Sequence, residues 1–185
     1  MKPALAPRFV RLFAVLAALV AVALVARNVW LRPSDIAATS ASDSTGVGMR
    51  SAMLWFASAD GDSLVAEPRE LPEASALHAR VAACITALEQ GPRLGGVRTL
   101  PVGTRLLHAY LDESGLLTLD LSRDLRQGFR GGARAEELAI GSLVRTVSTG
   151  VPEARRLRIV CAGSPLASLG GHIPLDRPLD PADWP

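Results

Sequence analysis

The chain opens on one long apolar run and thereafter alternates short apolar stretches with turn-forming clusters. From Leu12 to Ala26 (LFAVLAALVAVALVA) no side chain is charged or polar. Lys2, Arg8 and Arg11 precede the run, and Arg27 and Arg32 follow it with Trp30 between them. Lipid offers no partner to backbone N–H and C=O groups, so such a run must be helical if inserted in a bilayer. Counted from Phe9 to Leu31, with the arginines snorkelling, it reaches the roughly 20 residues a bilayer core requires. Segment 12–31 therefore reads as a transmembrane anchor or, using the small residues Ala21-Val22-Ala23 for cleavage, as a signal sequence. Either way the basic flank keeps residues 1–11 in the cytoplasm and the remainder is exported.

Residues 32–49 are small and polar with no hydrophobic period, as in a flexible linker. Residues 50–185 carry the periods of a folded domain. Ser51 to Ser58 is a short apolar run stopped by Ala-Asp-Gly-Asp, which favours a buried strand. Leu64 to Leu71 is extended, and Pro68 makes it an edge strand or an irregular segment. Leu77, Val81, Cys84, Ile85 and Leu88 fall on one face of a helix over 73–90, which Gly91 and Pro92 terminate. Thr104–Leu111 and Leu116–Ser122 flank Asp112-Glu113-Ser114-Gly115 as a hairpin, and Leu117, Leu119 and Leu121 alternate inward. A second helix covers 133–149 with Ile140, Leu143, Val144 and Val147 on one stripe. Arg156–Ala162 alternates as a last strand before Gly170-Gly171-His172, where a turn leads into a second extended piece. Two singly striped helices and a sheet with a polar face define an α+β, two-layer sandwich: a small mixed or antiparallel sheet with both helices on one face.

The charge balance changes meaning once the run is set aside. Of 20 basic and 18 acidic residues, five basic and no acidic ones lie in residues 1–32, so the exported part is acidic by three charges. Aromatics are 4% of the chain and no basic stripe interleaves with them, so nucleic acid is not an expected partner.

Candidate chemistry is sparse. The cysteines Cys84 and Cys161 both face the predicted core; in an exported domain they could pair as a disulfide, although burial as two thiols is commoner. His78, His108 and His172 have no metal-ligand spacing, so no metal is expected. The carboxylate pairs Asp112/Glu113, Asp120/Asp124 and Glu136/Glu137 each adjoin a turn or a helix start, where solvation or capping accounts for them. No nucleophile elbow, phosphate loop or dinucleotide fingerprint occurs, so no catalytic or cofactor-binding residue is expected. His172 reads as a turn residue whose ring bonds a local backbone group.

Five segments in one order carry a resemblance: LEQGP (88–92), LPVGTRLL (100–107), GLLTLDLSRDL (115–125), ELAIGSLVRTVST (137–149) and LGGHIPLDRPL (169–179). Together they resemble the GerMN domain of sporulation, spore-germination and other bacterial envelope proteins. The resemblance implies an α+β domain similar to ring-building motifs, with Gly91, Pro92, Gly103, Thr104, Asp120, Leu169, Gly170, Gly171 and His172 as structural motif residues. Two departures stand beside it: there is no lipobox cysteine after the apolar run and no second copy of the domain.

The expected protein is thus a single-pass inner-membrane protein with its domain in the periplasm or extracytoplasmic space. There it assembles with envelope proteins or with itself, without cofactor or evident small-molecule substrate, and its strand edges near Pro68 and Pro174 are the natural docking surfaces. The alternative is a sensor domain for a cell-wall fragment or small molecule, which requires a concave site with convergent polar groups. A wall hydrolase using Asp120 or Asp124 ranks last.

Overall fold

The computed structural model describes residues 48–184, and the candidate anchor 12–31 and most of the linker lie outside them. Among the described residues no helix is long and apolar enough to cross a membrane. The order is β1 (Met49–Ala57), β2 (Leu64–Pro72), α1 (Leu77–Gln90), β3 (Leu106–Leu111), β4 (Leu116–Leu121), α2 (Asp124–Gly128), α3 (Ala133–Gly150), β5 (Arg156–Cys161) and β6 (Ser164–Pro165), closed by a 3-10 turn at Pro181–Asp183.

The fold is α+β, and its strands divide between two open sheets. β1 and β2 form an antiparallel ribbon in which Met53 faces Pro68. A two-stranded ribbon leaves each strand one free edge, so a regular strand tolerates proline there. The second sheet runs β3-β4-β5-β6, antiparallel except for β4 and β5, whose parallel pairing requires the crossover through α2 and α3. The β3–β4 turn forms as predicted: Gly115 takes φ +81, and Asp112 Oδ1 accepts the N–H groups of Ser114 and Leu116, each at 2.9 Å.

The predicted helix stripes are the core. Val81, Cys84, Ile85 and Leu88 of α1 and Ile140, Leu143, Val144 and Val147 of α3 are all buried, against Leu54 and Phe56 of β1 and Leu117, Leu119 and Leu121 of β4. Gly91 ends α1 at φ +87, its N–H returning to the Leu88 carbonyl. Behind this packing, α3 also closes the free edge of β1. Ser142 Oγ donates to the Trp55 carbonyl at 2.5 Å, and Thr146 Oγ1 accepts the Trp55 N–H at 3.0 Å. Thr149 Oγ1 lies 3.3 Å from the Met53 carbonyl while donating to the Arg145 carbonyl of its own helix at 2.6 Å. Positions 142, 146 and 149 share one helical face, so three hydroxyls stand where a neighbouring strand would. The β1 edge at Trp55 is therefore already paired, whereas Pro68 lies on β2. Only Ser164–Pro165 of the C-terminal segment is strand, so the predicted extended piece after His172 is irregular chain, held by the bond from the Leu175 N–H to the Ala167 carbonyl and by the reciprocal pair of bonds between Leu157 and Leu179.

Candidate functional site

Glu136 corrects the sequence reading most sharply. It lies one helical turn before Ile140 on the same stripe, and it is fully buried rather than solvated at the helix start. Its Oε1 accepts the Leu169 N–H at 2.8 Å, and its Oε2 accepts the His172 N–H at 2.9 Å and lies 3.0 Å from His172 Nδ1. Burial pushes this carboxyl up, but the Gly170, His172 and Leu169 N–H groups and the His172 ring outweigh it, and the net shift is below the ordinary glutamate range. His172 thus bonds a distant carboxylate rather than a local backbone group. Gly171, at φ +95, lets the chain curl around the carboxylate. Gly170 is required by proximity, since a Cβ there would stand 2.8 Å from Phe129 Cε1 and 3.0 Å from Glu136 Oε2. Glu137, the neighbour of Glu136, is half-buried and pairs with Arg134 at 2.7 Å.

A second buried carboxylate repeats the device. Glu67 and Arg69 share the inward face of β2 with Leu71 and form a buried ion pair. Glu67 Oε2 also accepts the N–H groups of Arg93 at 2.8 Å and Leu94 at 2.9 Å, while Arg69 donates to the Ala87 and Gly91 carbonyls. Burial raises the Glu67 carboxyl, and the Leu94 N–H, Arg69 and the Arg93 N–H bring it net below its ordinary value. Gly91 and Pro92 therefore begin a loop fastened to β2.

The remaining motif residues hold turns. Gly103 N–H donates to Glu89 Oε1 at 2.9 Å, and Thr104 Oγ1 donates to the Pro101 carbonyl at 2.7 Å. Asp120 accepts the Gly163 N–H at 2.9 Å, fixing a two-residue β5–β6 turn in which Ala162 and Gly163 take φ of 50° and 74°. Asp124 accepts from Ser122 Oγ at 2.9 Å. Each member of the Asp120/Asp124 pair is thus engaged in its own turn. Cys84 and Cys161 are both buried and free; Cys84 Sγ lies against Gly150, where a Cβ would approach to 2.7 Å.

Beside a more open concavity of about 550 Å³ lined by Glu137, His172, Ile173 and Trp184, a cleft of about 580 Å³ has the size for a small ligand. Its floor is Leu100, Leu138 and Phe129, and its walls are the 97–101 loop, the β1–β2 turn and the start of α3. Arg98, Arg130 and Arg134 line it together with Asp60. None of these four was singled out from sequence, because the 97–101 loop and α3, joined across 43 residues by the 2.6 Å Thr99–Ser142 hydrogen bond, come together only in the fold.

Three comparisons bear on this geometry. The family model Germane, described as sporulation and spore germination, matches residues 53–167. No curated protein sequence is a significant match. Among solved structures, a candidate lipoprotein of Clostridium perfringens is 23% identical with a TM-score of 0.51, over 74% of this chain and 91% of that one. The first GerMN domain of the sporulation protein GerM from Bacillus subtilis is 18% identical with a TM-score of 0.57, over 72% of this chain and 99% of that one. Against the tandem GerMN domains of the same protein, at 17% identity and a TM-score of 0.57, this chain spans 48% of the length.

Proposed function

This chain belongs to the Germane family, and we propose that it works as a non-catalytic interaction module of the bacterial envelope, held at the membrane by its N-terminal apolar segment. One observation carries the reading. Polar side chains hold the fold: Glu136, Glu67, Glu89 and Asp120 each accept main-chain N–H groups from a loop that they fasten. Side chains so engaged shape a surface, and a shaped surface without a reactive constellation suits binding. The family's sporulation and germination description and the lipoprotein among its structural neighbours support an extracytoplasmic place.

Two measurements test it. Alkaline phosphatase fused after Pro185 should be active and a reporter that fluoresces only in the cytoplasm should be dark; the reverse pattern overturns the topology. Crosslinking in intact cells should yield discrete adducts of the full chain, and a chain that stays monomeric and uncrosslinked overturns the interaction role. The cleft also favours a second reading, a sensor for a cell-wall fragment. That reading predicts saturable binding of a soluble muropeptide to the full chain, and no binding at millimolar concentration removes it.

A further inference from the structure

Resting on the interaction-module reading, we propose that the cleft at the start of α3 is the docking site for an acidic segment of a partner protein that also carries an apolar side chain. The domain's charge is otherwise balanced toward acid, yet this cleft gathers three guanidinium groups. Two of them have no carboxylate partner among the described residues. Arg98 donates to the Gln90 carbonyl at 3.2 Å, and Arg130 donates to the Gln127 and Phe129 carbonyls, both at 2.7 Å. Arg134 pairs with Glu137 on its own helix. The one acidic side chain on the lining, Asp60, is turned into the β1–β2 turn, where it accepts from Ser58 Oγ and the Asp62 N–H. Its carboxyl is lowered by those bonds, the Ser58 hydroxyl first.

Planar guanidinium groups bind carboxylates through paired hydrogen bonds, and the two unpaired ones leave such valences open. The first turn of α3 carries the Glu136 carboxylate, already engaged by residues 169–172, so the positive field at the cleft is that of the arginines. The floor decides between anions. Leu100, Leu138 and Phe129 are apolar, and Val97 at the rim is 48% exposed, with Val102 nearby on the same loop 70% exposed. A phosphodiester or glycan chain has nothing to place there, whereas a peptide supplies a leucine or phenylalanine between its carboxylates. Guanidinium groups at the rim then set the encounter rate and the register, and the apolar anchor sets the lifetime of the complex.

The test uses the full chain in its own bacterium, with the photocrosslinker p-benzoylphenylalanine placed at Val97 or, as a distal probe, at Tyr110 on the outer face of the second sheet. Adducts are digested and the partner peptide is sequenced. The expected result is an adduct from Val97 whose partner peptide holds at least two acidic residues beside an apolar one. Its yield should fall about tenfold in the doubly reversed Arg98→Glu/Arg130→Glu chain, which corresponds to about 1.4 kcal/mol. Both arginines are exposed, and an unchanged melting temperature of that variant shows that loss of yield is not loss of fold. An adduct from Tyr110 alone leaves the interaction module standing and overturns the cleft as its docking site. No adduct from either probe overturns the underlying reading as well. A basic partner peptide, a polymer adduct, or a yield that survives charge reversal each overturns the proposal.

Discussion

Replacing Glu136 by glutamine removes one charge and one acceptor from the carboxylate that holds residues 169–172, and changes almost nothing else in size. The amide oxygen of the variant does best at the Oε2 position, where it keeps the His172 N–H and ring contacts at 2.9 and 3.0 Å. Its NH2 group then meets the Leu169 N–H, donor against donor, across a former 2.8 Å bond. An orphaned buried donor costs roughly 1–3 kcal/mol, and the surviving bonds lose their charge assistance, about half their strength. The sum is about 2–4 kcal/mol, or a fall in melting temperature of roughly 6–16 °C for a domain of this size. Glu136→Ala, which leaves every donor unpaired, should cost about 3–5 kcal/mol. The pH dependence is a second signature. Because the folded carboxyl is held below its ordinary value, its contribution is complete above the unfolded pKa and is lost as pH falls through the folded one. Thermal melts followed by circular dichroism should therefore show a full gap between the natural chain and Glu136→Gln at pH 6 and a gap that narrows as the pH is lowered below about 4. A shift within 2 °C at pH 6, or a gap that does not change with pH, refutes the assignment of these bonds to an ionised carboxylate.

Gly170→Ala should destabilise by about 1–3 kcal/mol, because its methyl would meet Phe129 and Glu136 inside van der Waals distance; a melting temperature equal to that of the natural chain contradicts the tight approach. Ala162→Gly should raise stability by about 0.5–1 kcal/mol, since Ala162 is the one non-glycine residue with positive φ among the described residues and pays left-handed strain; a denaturant midpoint that falls refutes it. Burial raises the Cys84 thiol despite nearby Arg50 and Arg80. Without reductant, a thiol reagent should find two reactive groups in the denatured chain and almost none in the folded one; fewer than two after denaturation indicates a disulfide.

Much of the fold was legible because its stripes obey simple periods. Val81, Cys84, Ile85 and Leu88 mark α1, Ile140, Leu143, Val144 and Val147 mark α3, and Leu117, Leu119 and Leu121 mark β4, each buried as the spacing requires. The five residues of α2 make about one and a half turns, too few to establish a period. The division into two sheets was hidden for another reason: α3 satisfies the β1 edge with Ser142 and Thr146, and sequence does not distinguish such hydroxyls from solvent-facing ones. A signal for Glu136 was present. It stands on the buried stripe four residues before Ile140, which asks for an internal partner, but that partner lies 33 to 36 residues further along the chain. Glu67 and Arg69 likewise alternate with buried Leu71, so period two placed an ion pair inward, where Pro68 drew the reading toward an irregular edge.

These buried carboxylates and the cleft are mechanically connected. Glu67 fastens Arg93 and Leu94, and the chain that leaves them forms the cleft wall at Val97–Pro101. Ser142, which holds β1 to α3, also meets Thr99 at 2.6 Å and so ties that wall to the helix. On the other side Phe129 lies against Gly170, whose position is set by the Glu136 carboxylate. The cleft is thus bounded by loops that irregular backbone alone would leave mobile, each held by bonds to an ion or hydroxyl on a strand or helix. A preformed wall lowers the ordering cost of binding, so a partner segment needs less contact for the same affinity. The conspicuous Gly170-Gly171-His172 sequence then acts at one remove: it closes around Glu136, supports Phe129, and through that ring contributes to the shape of a surface it does not itself line.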